Sequence, residues 1–321
     1  MFAHSNINSV IMSLKMLSSW RYIMGGGSYS SESFSSYATT RGYSYDFKSD
    51  RVVGHFYKSS CMKSNLNPKN KIRECCNSKE HPNTVPVILA LDVTGSMGKA
   101  CNECASALSS IMKELYNRFD DVELMVMGVG DFDEGDEAPL QVSQFESDVR
   151  IAEQLDDIWM EHGGGGNRWE SYTAPWWYGL YRTRLDCYDK QGNKGIIITM
   201  GDEPLNPSLP ESEMLEYFGE ANGEDEGQYS FDTPSLYENA SKKFDIYHIS
   251  VNDSGNAYGR RGPSYTNEVD ESFREVLGQN YSISTVEGLK DKICECIEDS
   301  ISYRKTGKKK MKENKKGGIT W

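Results

Sequence analysis

Seven consecutive residues, Val85 to Leu91 (VPVILAL), are apolar without alternation. A strand with one wet face alternates apolar and polar side chains, whereas one covered on both faces reads as a continuous apolar run. The chain therefore has to build a sheet buried between two layers, with this segment running through its middle. The run stops at Asp92-Val93-Thr94-Gly95-Ser96-Met97. One carboxylate and two hydroxyls thus converge at a strand's carboxyl end, where open α/β sheets bind ligands. Lys99 to Phe119 follows with Ala100, Cys104, Ala107, Leu108, Ile111, Leu115 and Phe119 at three- and four-residue steps, a single buried stripe on a helix of about five turns.

Further strands are expected at Val122–Val129, Lys194–Met200, Phe244–Val251 and Tyr281–Thr285, with an edge strand in PLQVSQFES. Between them the spacing predicts helices in VRIAEQLDDIW, over Ser171–Tyr188, around Ser212–Phe218 and Ser235–Lys243, and over Glu268–Leu277 and Val286–Ile301. Strands that alternate with helices specify an α/β fold, Rossmann-like, with a central mostly parallel sheet flanked by helices on both faces and one antiparallel edge. This divides the chain into an N-terminal arm and extension (1–84), the α/β domain (85–302) and a tail (303–321).

The 321 residues carry a formal charge of −13, unevenly spread. Tyr303 to Trp321 holds eight Lys or Arg against one Glu, which leaves −20 for residues 1–302. The body should repel nucleic acid and anionic membrane, and any attraction to either falls to the tail. No apolar run is long enough for a membrane span. Eight cysteines without paired metal spacing, and no secretory signal, read as a reducing cytoplasm. Cys101 and Cys104 lie within the first helix and are expected to be small buried apolar residues.

The oxygens of Asp92, Thr94 and Ser96 have no histidine or cysteine beside them. Hard donors of this kind suit Mg²⁺, Mn²⁺ or Ca²⁺ rather than zinc. Asp131 follows the second strand in GDFDEGDEAP, a loop that lacks the Glu an EF-hand needs at its twelfth position, where Val142 stands. Asp131 is placed to approach a metal from outside its direct ligands or to support a nearby ion. The plainer reading of Asp92-x-Thr94-x-Ser96 is a helix start, with the hydroxyls capping and the carboxylate meeting the dipole.

D-V-T-G-S-M on a strand-to-helix turn resembles the metal-ion-dependent adhesion site (MIDAS) of von Willebrand factor type A (VWA) domains, whose usual pattern is D-x-S-x-S; Thr94 keeps the hydroxyl. The likeness extends in weaker form over Val85–Ser302. It implies that Thr94 and Ser96 bind Mg²⁺ directly, that Asp92 acts largely through water, and that Asp202, at the end of KGIIITM, is the aspartate of the third metal loop. Glu203 is the weaker neighbour. The second metal loop aligns with HGGGGNRWES, where Gly166 stands in place of the usual Thr; G-G-G-N-R-W-E resembles the G-G-G-D-x-x-E of some relatives, which makes Asn167 and Glu170 candidates. The resemblance further implies a protein-binding adaptor or scaffold, not an enzyme, with a partner's Asp or Glu completing the metal shell. The same D-x-T-G-S also resembles the signature of haloacid-dehalogenase-like phosphotransferases, in which Asp92 would be a nucleophile.

Other conspicuous residues have plainer expectations. Arg73, Glu74 and His81 are read as surface salt-bridging groups and His248 as a core imidazole. The aromatics Trp169, Tyr172, Trp176, Trp177, Tyr178 and Tyr181 are read as packing rather than a nucleic-acid platform. Arg260 and Arg261 stand in a loop from which they could meet an acidic partner.

Overall fold

The computed structural model describes residues 27–119, 121–161, 168–219 and 229–306. Six strands form the central sheet: β1 (Val85–Asp92), β2 (Val122–Val129), β3 (Leu140–Val142), β4 (Gly195–Gly201), β5 (Phe244–Asn252) and β6 (Tyr281–Thr285). Their spatial order is β6-β5-β4-β1-β2-β3. All pairs are parallel except β2 with β3, which is antiparallel. The expected α/β class, mostly parallel sheet and antiparallel edge are therefore present.

Strand β1 is central, and its alternate residues go to opposite layers. Val87, Leu89 and Leu91 join one buried cluster, and Ile88 and Ala90 the other. On the first side lie helices α1 (Gly98–Arg118), α2 (Arg150–Asp156) and α7 (Leu289–Thr306), contributing Leu108, Ile111, Ile151, Leu155, Ile293 and Ile297. On the second lie α3 (Ala174–Arg182), α4 (Glu211–Phe218), α5 (Thr233–Lys243) and α6 (Pro263–Leu277). Trp176, Trp177, Tyr172 and Tyr178 are fully buried there, so the aromatic concentration is a core. Trp177 stacks on Phe218 with ring centroids 4.8 Å apart.

Several expectations need correction. The helix expected over Ser171–Tyr188 is broken into Ala174–Arg182 and the single turn Asp186–Asp189. Thr183 Oγ1 donates back to Gly179 O, Lys243 Nζ donates to Leu180 O and Thr183 O, and Thr183–Leu185 turns extended to pair in parallel with Arg73–Cys75. These side-chain donors satisfy the carbonyls at the helix end, which lets the chain leave the helix there. Helix α6 begins at Pro263 rather than Glu268, since proline is accepted in a first turn, and a short helix Ala257–Arg260 lies in what reads as loop. The edge strand of PLQVSQFES contracts to three residues.

Arg73 and His81 are not surface groups. Arg73 is buried and donates to Asn65 O and Val142 O, covering the β3 edge. His81 is buried between Asp121 Oδ1 (3.2 Å) and Gly27 O (2.7 Å). Only Glu74 pairs at the surface, with Arg184.

Within the arm, Ser31–Thr40 is a helix capped by Ser30, and its Phe34, Tyr37 and Ala38 join the cluster on the α1 side. A hairpin of Ser44–Asp46 and Arg51–Val53 follows. Arg51 makes a bidentate pair with Glu103 of α1 at 2.8 and 2.6 Å. The readings made for residues 1–26, for the 162–167 stretch and for the 307–321 tail lie outside the described residues. All eight cysteines are free thiols, with Cys101 and Cys104 buried. Among the described residues, no helix is long and apolar enough to cross a membrane.

Because Phe34 is fully buried against the same core as β1, Phe34→Ala should lower the unfolding free energy of the whole domain by about 3–5 kcal/mol. Urea denaturation followed by tryptophan fluorescence would measure this; an unchanged midpoint would mean that the N-terminal helix is not part of the core.

Candidate functional site

Register alone brings the acidic strand ends together. Leu91 of β1 pairs with Met200 of β4, which sets Asp92 abreast of Gly201 and one residue short of Asp202. Both aspartates are fully buried. Asp92 Oδ1 accepts from the Thr94 backbone N–H (2.9 Å) and from Thr94 Oγ1 (2.6 Å). Ser96 Oγ donates to Asp202 Oδ1 at 3.1 Å, and Asp202 Oδ2 accepts from Ala257 N at 2.6 Å. Thr94 Oγ1 and Ser96 Oγ stand 3.4 Å apart.

These bonds dispose of the helix-cap reading. The single turn Gly95–Met97 and helix α1 both begin without a side-chain cap, and both hydroxyl protons are directed to carboxylates instead. A hydroxyl whose proton is committed retains two lone pairs. The 3.4 Å approach of the two oxygens is then between electron-rich atoms.

Tyr172 joins the two aspartates, and sequence reasoning placed it only among the packing aromatics. Its hydroxyl donates to Asp92 Oδ2 at 2.7 Å and accepts from the backbone N–H groups of Asp202 (3.2 Å) and Glu203 (3.3 Å). One proton and two lone pairs are thereby all used. Its ring lies edge-on to His248, itself a buried core imidazole whose Nδ1 meets Thr199 Oγ1. Gly201 has to be glycine, because a Cβ there would fall on the Tyr172 ring.

Glu170 adjoins this centre. It is buried, its Oε2 has no hydrogen-bond partner among the described residues, and its backbone bridges to Leu205 just beyond β4. Burial and the nearby Asp92, Asp131 and Asp136 charges push its carboxyl up to about 10. Asp131 reaches the group through charge; its Oδ1 accepts from Ser171 Oγ and from the Asp133 N–H, both at 3.0 Å. Glu203, ranked behind Asp202 in the sequence, also belongs here: burial and Asp202 raise it to about 7, and Arg261 pairs with it at 3.5 Å. Asp92 is raised to about 7 by burial and then by Asp202, and Asp202 is raised by burial. Asn167 lies outside the described residues. Among the described residues, no three His, Cys, Asp or Glu side chains are grouped closely enough to hold an ion by themselves. The close-packed oxygens are instead the two hydroxyls and the carboxylates they bond.

Two predictions follow from this chemistry. Gly201→Ala should displace the Tyr172 ring and lower the melting temperature, read by calorimetry; an unchanged value would show that the ring can move freely. A carboxyl raised on folding keeps a proton that the unfolded chain has already released, so stability falls as pH rises from about 4 through about 7 for Asp92 and Glu203. In chelator the protein should melt at a higher temperature near pH 5 than near pH 8. Glu146, raised to about 7 by burial elsewhere, adds a fall of the same sign. The part belonging to this site is the part that Glu203→Gln reduces.

No protein-family model matches the chain. No curated protein matches it either. Among solved structures it is similar to the pilus adhesin SpaC from Lactobacillus rhamnosus GG in an open conformation, with 12% identity and a TM-score of 0.42 over 71% of this chain and 31% of the adhesin. A second structure of that adhesin gives 13% identity and a TM-score of 0.42, over 72% and 32%. The chain thus spans about a third of the adhesin's length.

Proposed function

We propose that the chain is a VWA-like binding module, an adaptor or scaffold, whose site holds Mg²⁺, Mn²⁺ or Ca²⁺ and captures an Asp or Glu side chain of a protein partner. The carrying observation is the pair of lone-pair-bearing hydroxyls, Thr94 and Ser96, set between two buried aspartates. Glu170 adds a buried carboxylate oxygen without a partner among the described residues, and Arg261 at the rim is a cation paired with the group. Oxygen donors alone in an acidic pocket match the hard divalent ions. Strand order supports the reading: counted along the chain it is 3-2-1-4-5-6, with the ligand end at the carboxyl edge.

Thr94 and Ser96 would hold the ion through their hydroxyls, with Asp92 and Asp202 contributing charge largely through water. A bound ion supplies the positive charge that the carboxylates lack and a position for one oxygen of the partner. Tyr172 and the Ala257 N–H keep the aspartates in place. Asp92 is less suited to nucleophilic attack on phosphorus. It is fully buried, and each of its oxygens already accepts a hydrogen bond. Contact with nucleic acid or an anionic surface would fall to the basic tail.

Mg²⁺ or Mn²⁺ at a hundredfold excess over Kd should stabilise the protein by about 2.7 kcal/mol, seen as a rise in Tm, and Asp92→Ala should abolish the rise. A pull-down should retain the partner in Mg²⁺ and lose it in EDTA. A Tm indifferent to both ions in the unaltered protein overturns the assignment.

A further inference from the structure

The site's rim is not uniformly acidic, although the body of the chain is. Lys99 lies in the first turn of α1, three residues after Ser96, and its Nζ reaches Asp253 Oδ1 at 3.2 Å in the loop after β5. That loop leads into the short helix Ala257–Arg260, whose first N–H binds Asp202, and then to Arg261 over Glu203. Arg168, two residues before Glu170, pairs with Glu268 of α6 and lowers Glu203 by its charge. In each pair the cation stands further into solvent than the acid: 69% against 18% exposed for Lys99–Asp253, 62% against 41% for Arg168–Glu268, and 46% against 14% for Arg261–Glu203. Arg260 is exposed, and its side chain has no ion-pair partner among the described residues. The outermost charge on the β4–β5 side of the site is therefore positive, whereas the loop beyond β2 presents Asp133, Glu134 and Glu137.

We propose that Lys99, Arg168, Arg260 and Arg261 form a basic rim that receives further carboxylates of the partner, so that the ligand is an acidic tract lying towards β5 rather than a lone Asp or Glu. This rests on the cation-dependent reading above and names the kind of partner it takes. Exposed ion pairs are worth little, so a cationic head can pass from its own acid to the partner's at small cost. Arg260 needs no such exchange.

The test uses the full chain and fluorescein-labelled Gly–Ser peptides, one with a single glutamate and one with that glutamate flanked by two more, followed by polarisation in Mg²⁺ and in EDTA. The three-glutamate peptide should bind in Mg²⁺ at least about tenfold more tightly, with the steeper loss on adding salt. Arg260→Glu should reduce it to the level of the single-glutamate peptide. Equal binding of the two peptides by the unaltered protein overturns the rim, and that comparison needs no variant. A parallel Mn²⁺ titration separates the two ideas. Ion binding with no preference between peptides removes the rim alone, whereas no ion binding removes the cation reading and this proposal with it. A preference that persists in EDTA also overturns it, as simple anion attraction.

Discussion

The hydroxyl of Tyr172 holds the site together. It joins the carboxylate at the end of β1 to the backbone just past the end of β4, and it does so from a loop that belongs to neither strand. Two buried acids at adjacent strand ends repel one another, and main-chain register alone would let the less constrained end splay. A phenol can donate to one end and accept twice from the other. Phenylalanine would fill the same space and offer none of these bonds, and a threonine hydroxyl on a short stem would have to come from a different backbone position. The neighbouring glycine is part of the same arrangement, because the ring occupies the volume in which a Gly201 side chain would lie.

Asp92, Asp202, Glu170 and Glu203 are all raised, with burial the largest cause in each. Carboxylates gathered for stability alone would be paired with arginine or lysine, as Glu103 of α1 is with Arg51 of the arm. At the strand tips hydroxyls and amides bond Asp92 and Asp202 and orient them without neutralising them, and a single ion pair, Arg261 with Glu203, adjoins the four raised carboxyls. Such a pocket is costly to fold in its charged form and is relieved by protons or by a cation. The function proposed here follows from that unmet demand for positive charge.

Much of this was legible in the chain. The apolar runs of β1, β2, β4 and β5 carry their own evidence of burial, and Asp92, Thr94, Ser96 and Asp202 lie at strand ends, so register brings them together. The missed features depend on contacts distant in sequence. Tyr172 sits in an aromatic-rich stretch where packing is the natural reading, and nothing local reveals that its hydroxyl meets residues eighty positions upstream and thirty downstream. Glu203 follows Asp202 directly, and adjacent side chains diverge along an extended strand; at the end of β4 the chain bends and that rule lapses. Arg73 and His81 look like surface groups because charge is the visible property, whereas their burial comes from capturing carbonyls of β3 and of Gly27.

The arm before β1 bears on how the site could respond to a ligand. Its residues tie down the outer side of α1: Tyr57 donates to Cys101 O at 2.8 Å, Tyr45 meets Ser109 Oγ at 2.9 Å, and Arg51 grips Glu103 and Ser106. From the inner side, Cys101 Sγ donates to the backbone oxygen of Asp92. Helix α1 is thus fastened along its first three turns to both the arm and the strand. On the opposite side of the site, the Asp202 carboxylate meets the N–H of Ala257 and the hydroxyl of Ser96, and the turn behind it is pinned by buried Asn256, which donates to Val251 O and accepts from the N–H groups of Asp253 and Gly259, and by Tyr258, which donates to Asp270. Both flanks of Ser96 are therefore anchored, α1 by the arm and the Ala257 turn by Asn256 and Tyr258. Adjustment to a ligand is thus left to the exposed side chains of Lys99, Arg260 and Arg261 rather than to the backbone of this turn.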